Sequence, residues 1–206
     1  QPKPGKQSFA EAFARAGSGA PGAQQALVEV AQNPALSAYV RASAIRRLGR
    51  HASPATLPTL RAALGDADAM VRAAAVGALA GAEPALRAQL LPPLLADPVR
   101  LVRMDAARAL AGEPEARLSA ADRVRFAAAL DDYVAAERFI ADRAEGRANL
   151  GNLHATQGHF EQAEAAFRAA LALDPTFEPA ALNLADVYRG RGLEHEGERT
   201  LREALQ

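Results

Sequence analysis

The chain has 206 residues, half of them hydrophobic, and its 24 Lys and Arg residues balance 24 Asp and Glu residues. The balanced charge argues against a nucleic-acid partner, which needs a basic face. Cysteine is absent, which excludes disulfides, Cys-ligated metals and a thiol nucleophile, and no apolar run reaches the ~18 residues of a membrane span. Abundant Ala and few aromatic residues predict an all-α chain.

The first stretch of the chain carries few structural signals. It begins QPKPGKQ rather than with Met, so we expect an excised piece or a processed product. We expect residues 1–19 to form a flexible N-terminal segment. The glycines of GSGAPG (17–22) lack the preceding strand and the following Gly-Lys-Ser/Thr of a phosphate-binding loop. This stretch therefore predicts a flexible entry to the next segment.

A phrase that begins Val-Arg then occurs three times. It reads VRASAIRRL at 40–48, VRAAAVGAL at 71–79 and VRMDAARAL at 102–110, and the starting valines are 31 residues apart. Two stretches with helical apolar spacing, LPTLRAAL (57–64) and LRAQLLPPLL (86–95), lie between the copies. Each unit is thus predicted to be a helix, a short turn and a second helix that begins at Val-Arg.

These units resemble the short bacterial form of the HEAT repeat, in which an apolar helix pair carries Asp and then Val-Arg across its turn. The resemblance covers residues 20–112. It implies a stack of helix pairs, since one pair cannot bury its own apolar face.

Arginine at the same position of successive repeats predicts a ladder of ion pairs. A guanidinium can bind the Asp of its own turn or of the adjacent turn and fix the register of the stack. The competing interpretation is an anion-binding surface. Arg41 is the least explained, because Ala35 stands six residues before it, where the other two copies have Asp. The predicted ladder comprises Arg41, Arg72 and Arg103 with Asp66 and Asp97.

Residues 113–143 are predicted to form a connecting or capping helix between two arrays. Within them, 119–140 has helical apolar spacing and a Ser or Asp start signal. The apolar positions of this helix are Val124, Ala127, Ala128, Ala135 and Phe139.

Residues 144–177 resemble one tetratricopeptide repeat, and 178–206 resemble a second copy. The resemblance implies two closely packed helix pairs, with Gly and Ala where the helices approach each other. The second copy departs from the pattern at Gly197, where the family has Ala. The first copy departs at Arg147 and His154 and matches the signature at Leu150, Gly151, Gly158, Ala163, Phe167, Ala170 and Pro175.

The same resemblance implies that the first helix of each pair lines a concave groove. Asn donates and accepts hydrogen bonds at once, so a row of Asn can hold an extended peptide backbone. Families that bind a terminal carboxylate add Lys or Arg where this chain has Ala148 and Leu182, which argues against carboxylate capture. The alternative is that these positions serve the scaffold alone. The candidate peptide-binding residues are Asn149, Asn152, Asn183 and Asp186.

The sequence shows no catalytic constellation. No histidine has an acidic partner at metalloprotease spacing, and His154 is expected to pack in the repeat core. Asp131 and Asp132 are adjacent on one helix, whereas acid–base catalysis needs carboxylates that converge in a cleft. We therefore expect no catalytic residue, metal or cofactor in this chain. The other histidines are His51, His159 and His195.

The order of the modules resembles the C-terminal region of bacterial multihaem c-type cytochromes that carry tetratricopeptide repeats. The pieces most similar to that region are 34–48 and 132–167. The resemblance implies a periplasmic protein whose haem-bearing part lies upstream of Gln1, and a cytoplasmic location is the alternative. Haem attachment needs C-x-x-C-H, so haem is possible only in such an upstream region.

Together these patterns predict an all-α right-handed solenoid, an alpha-alpha superhelix of HEAT-like pairs followed by tetratricopeptide pairs. The predicted function is a non-catalytic protein–protein interaction scaffold within a larger exported redox protein, with a protein or peptide partner along an extended concave surface. One alternative is an enzyme similar to bilin chromophore lyases, which also contain short HEAT repeats. The other is a purely structural or oligomerising spacer, and the oligomeric state stays open.

Overall fold

A computed structural model describes residues 8–50, 53–114 and 117–204. In these ranges the chain forms twelve α-helices and one 3₁₀ helix, with no strand. Consecutive helices pair along the chain, which confirms the predicted all-α solenoid class. The α-helices are α1 (Ser8–Ser18), α2 (Ala23–Gln32), α3 (Ala38–Gly49), α4 (Leu57–Ala63), α5 (Ala69–Leu79), α6 (Pro84–Leu90), α7 (Arg100–Leu110), α8 (Ala120–Phe139), α9 (Ala144–Thr156), α10 (Phe160–Leu173), α11 (Glu178–Gly190) and α12 (Glu194–Ala204).

The chain divides into two compact units, one up to Phe126 and one from Ala127 onward. The division falls within α8. In the first unit, α3 packs on α5 and α5 packs on α7, while the helix before each of them covers its other side. In the second unit, α9 pairs with α10, α11 pairs with α12, and α10 packs on α11.

Residues 8–18 form α1 rather than the flexible segment expected over 1–19, whose first seven residues lie outside the described ranges. The spacing of Phe9, Ala12 and Phe13 explains this helix, because it places all three on one face. Ala12 is buried against the neighbouring helices. The Arg47 guanidinium lies 4.1 Å from the centre of the Phe13 ring, a cation–π contact that holds α1 on α3.

The three Val-Arg phrases lie in α3, α5 and α7, each of which begins two residues before the valine. Equivalent positions of the three helices are buried in the same way, as Ala44, Ala75 and Ala106 show with no exposed surface. A Cβ atom on Gly49 would lie 2.6 Å from the Cα atom of Ala78, so the backbones of α3 and α5 meet there. The 31-residue period is therefore a packing period.

The helix predicted over 86–95 is interrupted. α6 ends at Leu90, and a 3₁₀ helix covers Pro92–Ala96. Proline has no N–H to donate and its ring clashes with the preceding turn, so the Pro92–Pro93 pair ends the α-helical geometry. The apolar spacing still serves the core, because Leu94 and Leu95 are buried.

The apolar positions singled out on α8 do not form a buried face. Val124 is 72 % exposed and Phe139 is 88 % exposed, and the three alanines of that set are exposed as well. The buried residues of α8 are Ala129 and Tyr133. The expectation was wrong because alanine, the main residue of the pattern, is compatible with either side of a helix.

The second unit is built around two closely approaching helix pairs. Gly158 and Gly192 have φ values of 76° and 74°, which suits the tight turns after α9 and α11. A Cβ atom on Gly151 would lie 2.7 Å from the ring of Phe167, which is fully buried. The core residues around Phe167 are Ala144, Ala148, Ala163, Ala170, Ala180, Leu184, Val187 and Tyr188.

Candidate protein-interaction surfaces

Arg72 on α5 connects two consecutive repeats. Its Nε and Nη2 atoms donate to Oδ2 and Oδ1 of Asp97 at 2.7 and 2.8 Å, a bidentate contact across 25 residues of sequence. Its Nη1 atom donates to the carbonyl oxygens of Asp66 and Ala67 at 2.9 and 3.0 Å, in the turn before α5. Arg72 thus ties the turn of its own repeat to the turn of the next.

Arg41 makes the equivalent contact one repeat earlier. Its Nη1 atom donates to Oδ2 of Asp66, which again lies 25 residues later. The sequence left Arg41 without an explanation because Ala35 stands six residues before it. The structure corrects this: the carboxylate comes from the following turn, and the turn six residues before Arg72 supplies carbonyl oxygens instead.

Arg103 repeats the contact with its own turn, since its Nη1 atom donates to the carbonyl oxygens of Asp97 and Pro98 at 2.9 and 3.2 Å. The two aspartates also shape their turns. Oδ1 of Asp66 accepts the N–H of Asp68, and Oδ1 of Asp97 accepts the N–H of Val99, each at 2.9 Å. One aspartate therefore sets the local turn and binds the arginine of the preceding repeat.

The ion pairs keep these carboxylates charged. The hydrogen bond from Arg72 lowers the pKa of Asp97 below its ordinary 3.8, against the opposing effect of burial. Burial raises the pKa of Asp66, but the hydrogen bonds from Arg41 and from the N–H of Asp68 outweigh it, so the net pKa is lowered. The Arg41 and Arg72 guanidinium groups thus face carboxylates rather than an open anion-binding surface.

A second buried ion pair went unnoticed in the sequence. Nε and Nη2 of Arg87 donate to Oε1 of Glu113 at 3.1 and 2.5 Å, and Arg117 donates to Oε2 at 3.0 Å. Only 1 % of the Glu113 side chain is exposed. No sequence signal indicates this contact, because the Val-Arg phrase has no copy beyond residue 110 and Glu113 has no equivalent in the earlier repeats.

The candidate peptide-binding residues lie on α9 and α11, and the structure brings two of them together. Nδ2 of Asn183 donates to Oδ1 of Asn152 at 2.9 Å on the exposed side of both helices. This hydrogen bond uses one of two donors on Asn183 and one of two lone pairs on Asn152. The pair retains the valences that a peptide backbone needs.

The other two candidates bind neighbours within the second unit. Nδ2 of Asn149 donates to Oε2 of Glu137 at 3.0 Å, and Oδ1 of Asp186 accepts from Arg189 at 2.7 Å. At the positions where carboxylate-binding families have a cation, Ala148 is buried and Leu182 is 55 % exposed. The surface around Asn152 and Asn183 is therefore polar with acidic neighbours.

The histidines give no metal site among the described residues, where no group of three His, Cys, Asp or Glu converges. The rings of His154 and His159 lie 6.2 Å apart. Burial, followed by the charges of His159 and Arg138, lowers the pKa of His154 below 6.5, and its Nδ1 atom is buried without a hydrogen-bond partner. His159 and His195 are exposed, and His51 lies outside the described residues.

The glycines of GSGAPG border a groove of about 560 Å³ between the turn after α1 and the start of α4. Gly19 and Gly22 have positive φ values of 66° and 77°, as a tight turn before α2 requires. The groove is lined by small apolar and amide side chains, including Gln24 and Gln25, and by no charged group. Among the described helices, none is long and apolar enough to cross a membrane.

Two family models match parts of the chain. The HEAT repeats model covers residues 24–111, from α2 to α7, and the Tetratricopeptide repeat model covers residues 144–177, which contain α9 and α10. The chain carries HEAT repeats followed by a tetratricopeptide repeat. No curated protein and no solved structure gives a significant match. Repeats of both classes are typical of protein-interaction scaffolds and are generally non-catalytic.

The neutral total charge conceals a division between the two units. The sequence up to Phe126 has 16 Lys and Arg against 10 Asp and Glu, a net charge of +6, and the sequence from Ala127 has 8 against 14, a net charge of −6. The total alone therefore does not exclude a nucleic-acid partner for the first unit. Counting each unit separately would have revealed this division from the sequence.

Proposed function

We propose that the chain is a non-catalytic protein-interaction scaffold whose second unit binds an extended peptide along α9 and α11. The observation that carries this proposal is the exposed hydrogen bond between Asn183 and Asn152, which joins the two first helices of the tetratricopeptide pairs. Amide side chains held in this way present fixed donors and acceptors to a peptide backbone. Such a surface loses little side-chain entropy on binding.

The peptide that fits this surface carries basic side chains. Glu137 lies next to Asn149, and Asp186 is exposed one turn beyond Asn183, within a unit whose net charge is −6. A terminal carboxylate would meet these acidic groups and no cation at the Ala148 and Leu182 positions. Lysine or arginine in the partner would pair with Glu137 and Asp186 at the edge of the surface.

A selection from a random peptide library displayed on phage, with the full chain as bait, tests this proposal. Selected peptides are then measured by fluorescence polarisation against the parent chain and the Asn152→Ala/Asn183→Ala double variant. We expect basic peptides whose dissociation constant rises about tenfold or more in the double variant, because two hydrogen-bonding amides are lost. Gln162→Ala, an exposed amide on α10, is the matched control. Equal affinity for the double variant and the parent would remove the proposed site.

For the biological setting, we propose an exported redox protein, on the strength of the module order alone. A periplasmic multihaem protein would place its haem-binding part before the HEAT repeats. The reading frame upstream of Gln1 tests this directly, because haem attachment requires several C-x-x-C-H motifs. A reading frame without them ends the cytochrome interpretation and leaves the scaffold proposal unchanged.

A further inference from the structure

The second helices of the HEAT repeats present a row of apolar side chains to solvent. Tyr39, Met70 and Leu101 stand at the same position of α3, α5 and α7, each 31 residues from the next. They are 65, 46 and 56 % exposed. Apolar residues scattered singly on a surface are ordinary, but a row that repeats with the packing period forms a continuous strip. We call these three residues the apolar row.

A groove with basic borders accompanies the apolar row. It has a volume of about 440 Å³ and lies between α5 and α7, with Met70, Val99 and Leu101 as its large apolar side chains. Arg46 reaches its edge from α3. Gly77 and Arg108 stand at the positions of α5 and α7 that correspond to Arg46, so the row beside the apolar row reads Arg, Gly, Arg. Asp105 is the acidic residue of the lining.

The second unit carries a smaller apolar surface with the opposite charge. The side chains of Leu182 on α11 and Leu201 on α12 line a groove of about 330 Å³ that Glu178 borders. Leu182 is 55 % exposed. The adjoining α12 carries four glutamates against two arginines. We call this surface the Leu182 patch, and it comprises Glu178, Ala181, Leu182, Leu201 and Ala204.

We propose that the protein assembles head to tail, with the apolar row of one copy receiving the Leu182 patch of a second copy. Both surfaces are apolar at the centre, one is bordered by arginine and the other by glutamate, and the units that carry them have net charges of +6 and −6. Opposite charges steer the encounter of the two surfaces, while the zero net charge of the whole chain removes repulsion between copies. This self-association goes beyond the peptide-binding proposal and uses different residues.

Because the two surfaces differ, the contact is heterologous: each copy uses one surface and leaves the other open for the next copy. A symmetric dimer through the apolar row alone would instead use the same surface on both copies. Sedimentation velocity at several protein concentrations distinguishes growth of a series from a closed dimer. The head-to-tail contact also predicts weaker association at high salt, since exposed charges are screened within about 8 Å at physiological ionic strength.

Single substitutions test each surface. We expect Met70→Glu and Leu182→Glu each to raise the dissociation constant about 30-fold or more, because each places a carboxylate at the centre of the contact. Val124→Glu and Phe139→Glu are the matched controls. They add the same charge to the first and second unit at exposed apolar residues outside both surfaces. Circular dichroism checks that all four variants keep their helices. Asn183→Ala should leave self-association unchanged, which separates this proposal from peptide binding.

Mixing the two surface variants gives the decisive result. The Met70→Glu chain keeps its Leu182 patch and the Leu182→Glu chain keeps its apolar row, so the mixture should form one-to-one dimers that grow no further. The proposal is overturned by a parent chain that is monomeric at about 1 mM. It is also overturned by controls that dissociate the assembly equally, or by a Leu182→Glu chain that still dimerises. Failure of the mixture to form dimers overturns it as well.

Discussion

Arg72 and Asp97 lie 25 residues apart in the sequence and form a bidentate ion pair between consecutive repeats. The repeat is 31 residues long and Asp97 stands six residues before Arg103, so the arginine it binds is that of the preceding repeat. Each aspartate serves two arginines, one through its carboxylate and one through its carbonyl oxygen. The spacing of six in the sequence therefore marks a contact between repeats.

Removing the Arg72 guanidinium should destabilise the first unit strongly. Arg72→Met leaves the Asp97 carboxylate, whose side chain is 4 % exposed, without its cation, and we expect a loss of about 2–4 kcal/mol in the free energy of unfolding. Hydrogen exchange of peptides from α5 and α7 measures this loss in the unit concerned. Arg61→Met, at an exposed arginine on α4, should change stability by about 0.5 kcal/mol or less. Unchanged protection in the Arg72 variant would contradict the role of the ion pair.

The same contact predicts acid sensitivity. The pKa of Asp97 is lower in the folded state than its ordinary 3.8, chiefly because of the hydrogen bond from Arg72. Its stabilisation is therefore complete above about pH 3.8 and is lost as pH falls through the folded-state pKa. Urea unfolding at a series of pH values should show this loss in the parent chain. Asp97→Asn should be less stable at neutral pH and should converge with the parent below that range, and parallel curves would argue against the assignment.

The sequence predicted the repeats well because their packing positions recur. The buried Ala44, Ala75 and Ala106 follow the 31-residue period, and the predicted order of HEAT repeats and then a tetratricopeptide repeat is confirmed. The partners of the ladder were harder to predict, because a period does not say whether an arginine binds its own turn or the next. Glu113, a carboxylate with no equivalent in the earlier repeats, could not be found in this way.

The candidate surface on α9 and α11 shows a related limit. Spacing placed Asn152 and Asn183 on the first helices of two pairs, but only coordinates reveal that their amides meet. The exposed face of α8 was predicted wrongly for a different reason. Alanine fits a buried or an exposed position equally, so Val124 and Phe139 were grouped with alanines that have no preference.

Two glycines of the HEAT repeats should respond oppositely to the same substitution. Gly49→Ala would place a Cβ atom 2.6 Å from both the Cα and Cβ atoms of Ala78, and forcing α3 from α5 should cost about 1–3 kcal/mol. Gly77→Ala meets nothing within 4 Å in the middle of α5, and its better helix propensity should stabilise the chain by about 0.5–1 kcal/mol. Thermal unfolding followed by circular dichroism compares the two. Equal effects of the two substitutions would mean that α3 and α5 do not approach closely at Gly49.

His154 should make the second unit sensitive to mild acid. Burial lowers the pKa of His154 below 6.5, and protonation would add a donor at the buried Nδ1 atom, which has no acceptor. The unfolded chain takes up this proton more readily, so the stabilisation is present above about pH 6.5 and is lost as pH falls through the folded-state pKa.

His154→Phe should remove this pH dependence, because the aromatic ring remains and the titrating nitrogen does not. An NMR titration of the His154 Cε1 proton measures the folded-state pKa, and urea unfolding between about pH 7.5 and 5 measures its consequence. His195→Gln, at an exposed histidine on α12, should leave the pH dependence unchanged. A folded-state pKa at or above 6.5 would show that the half-buried ring accepts its proton from solvent, and the Nδ1 atom would then need a partner. The expected low value instead makes the ring a neutral packing residue at the position where the tetratricopeptide family has tyrosine.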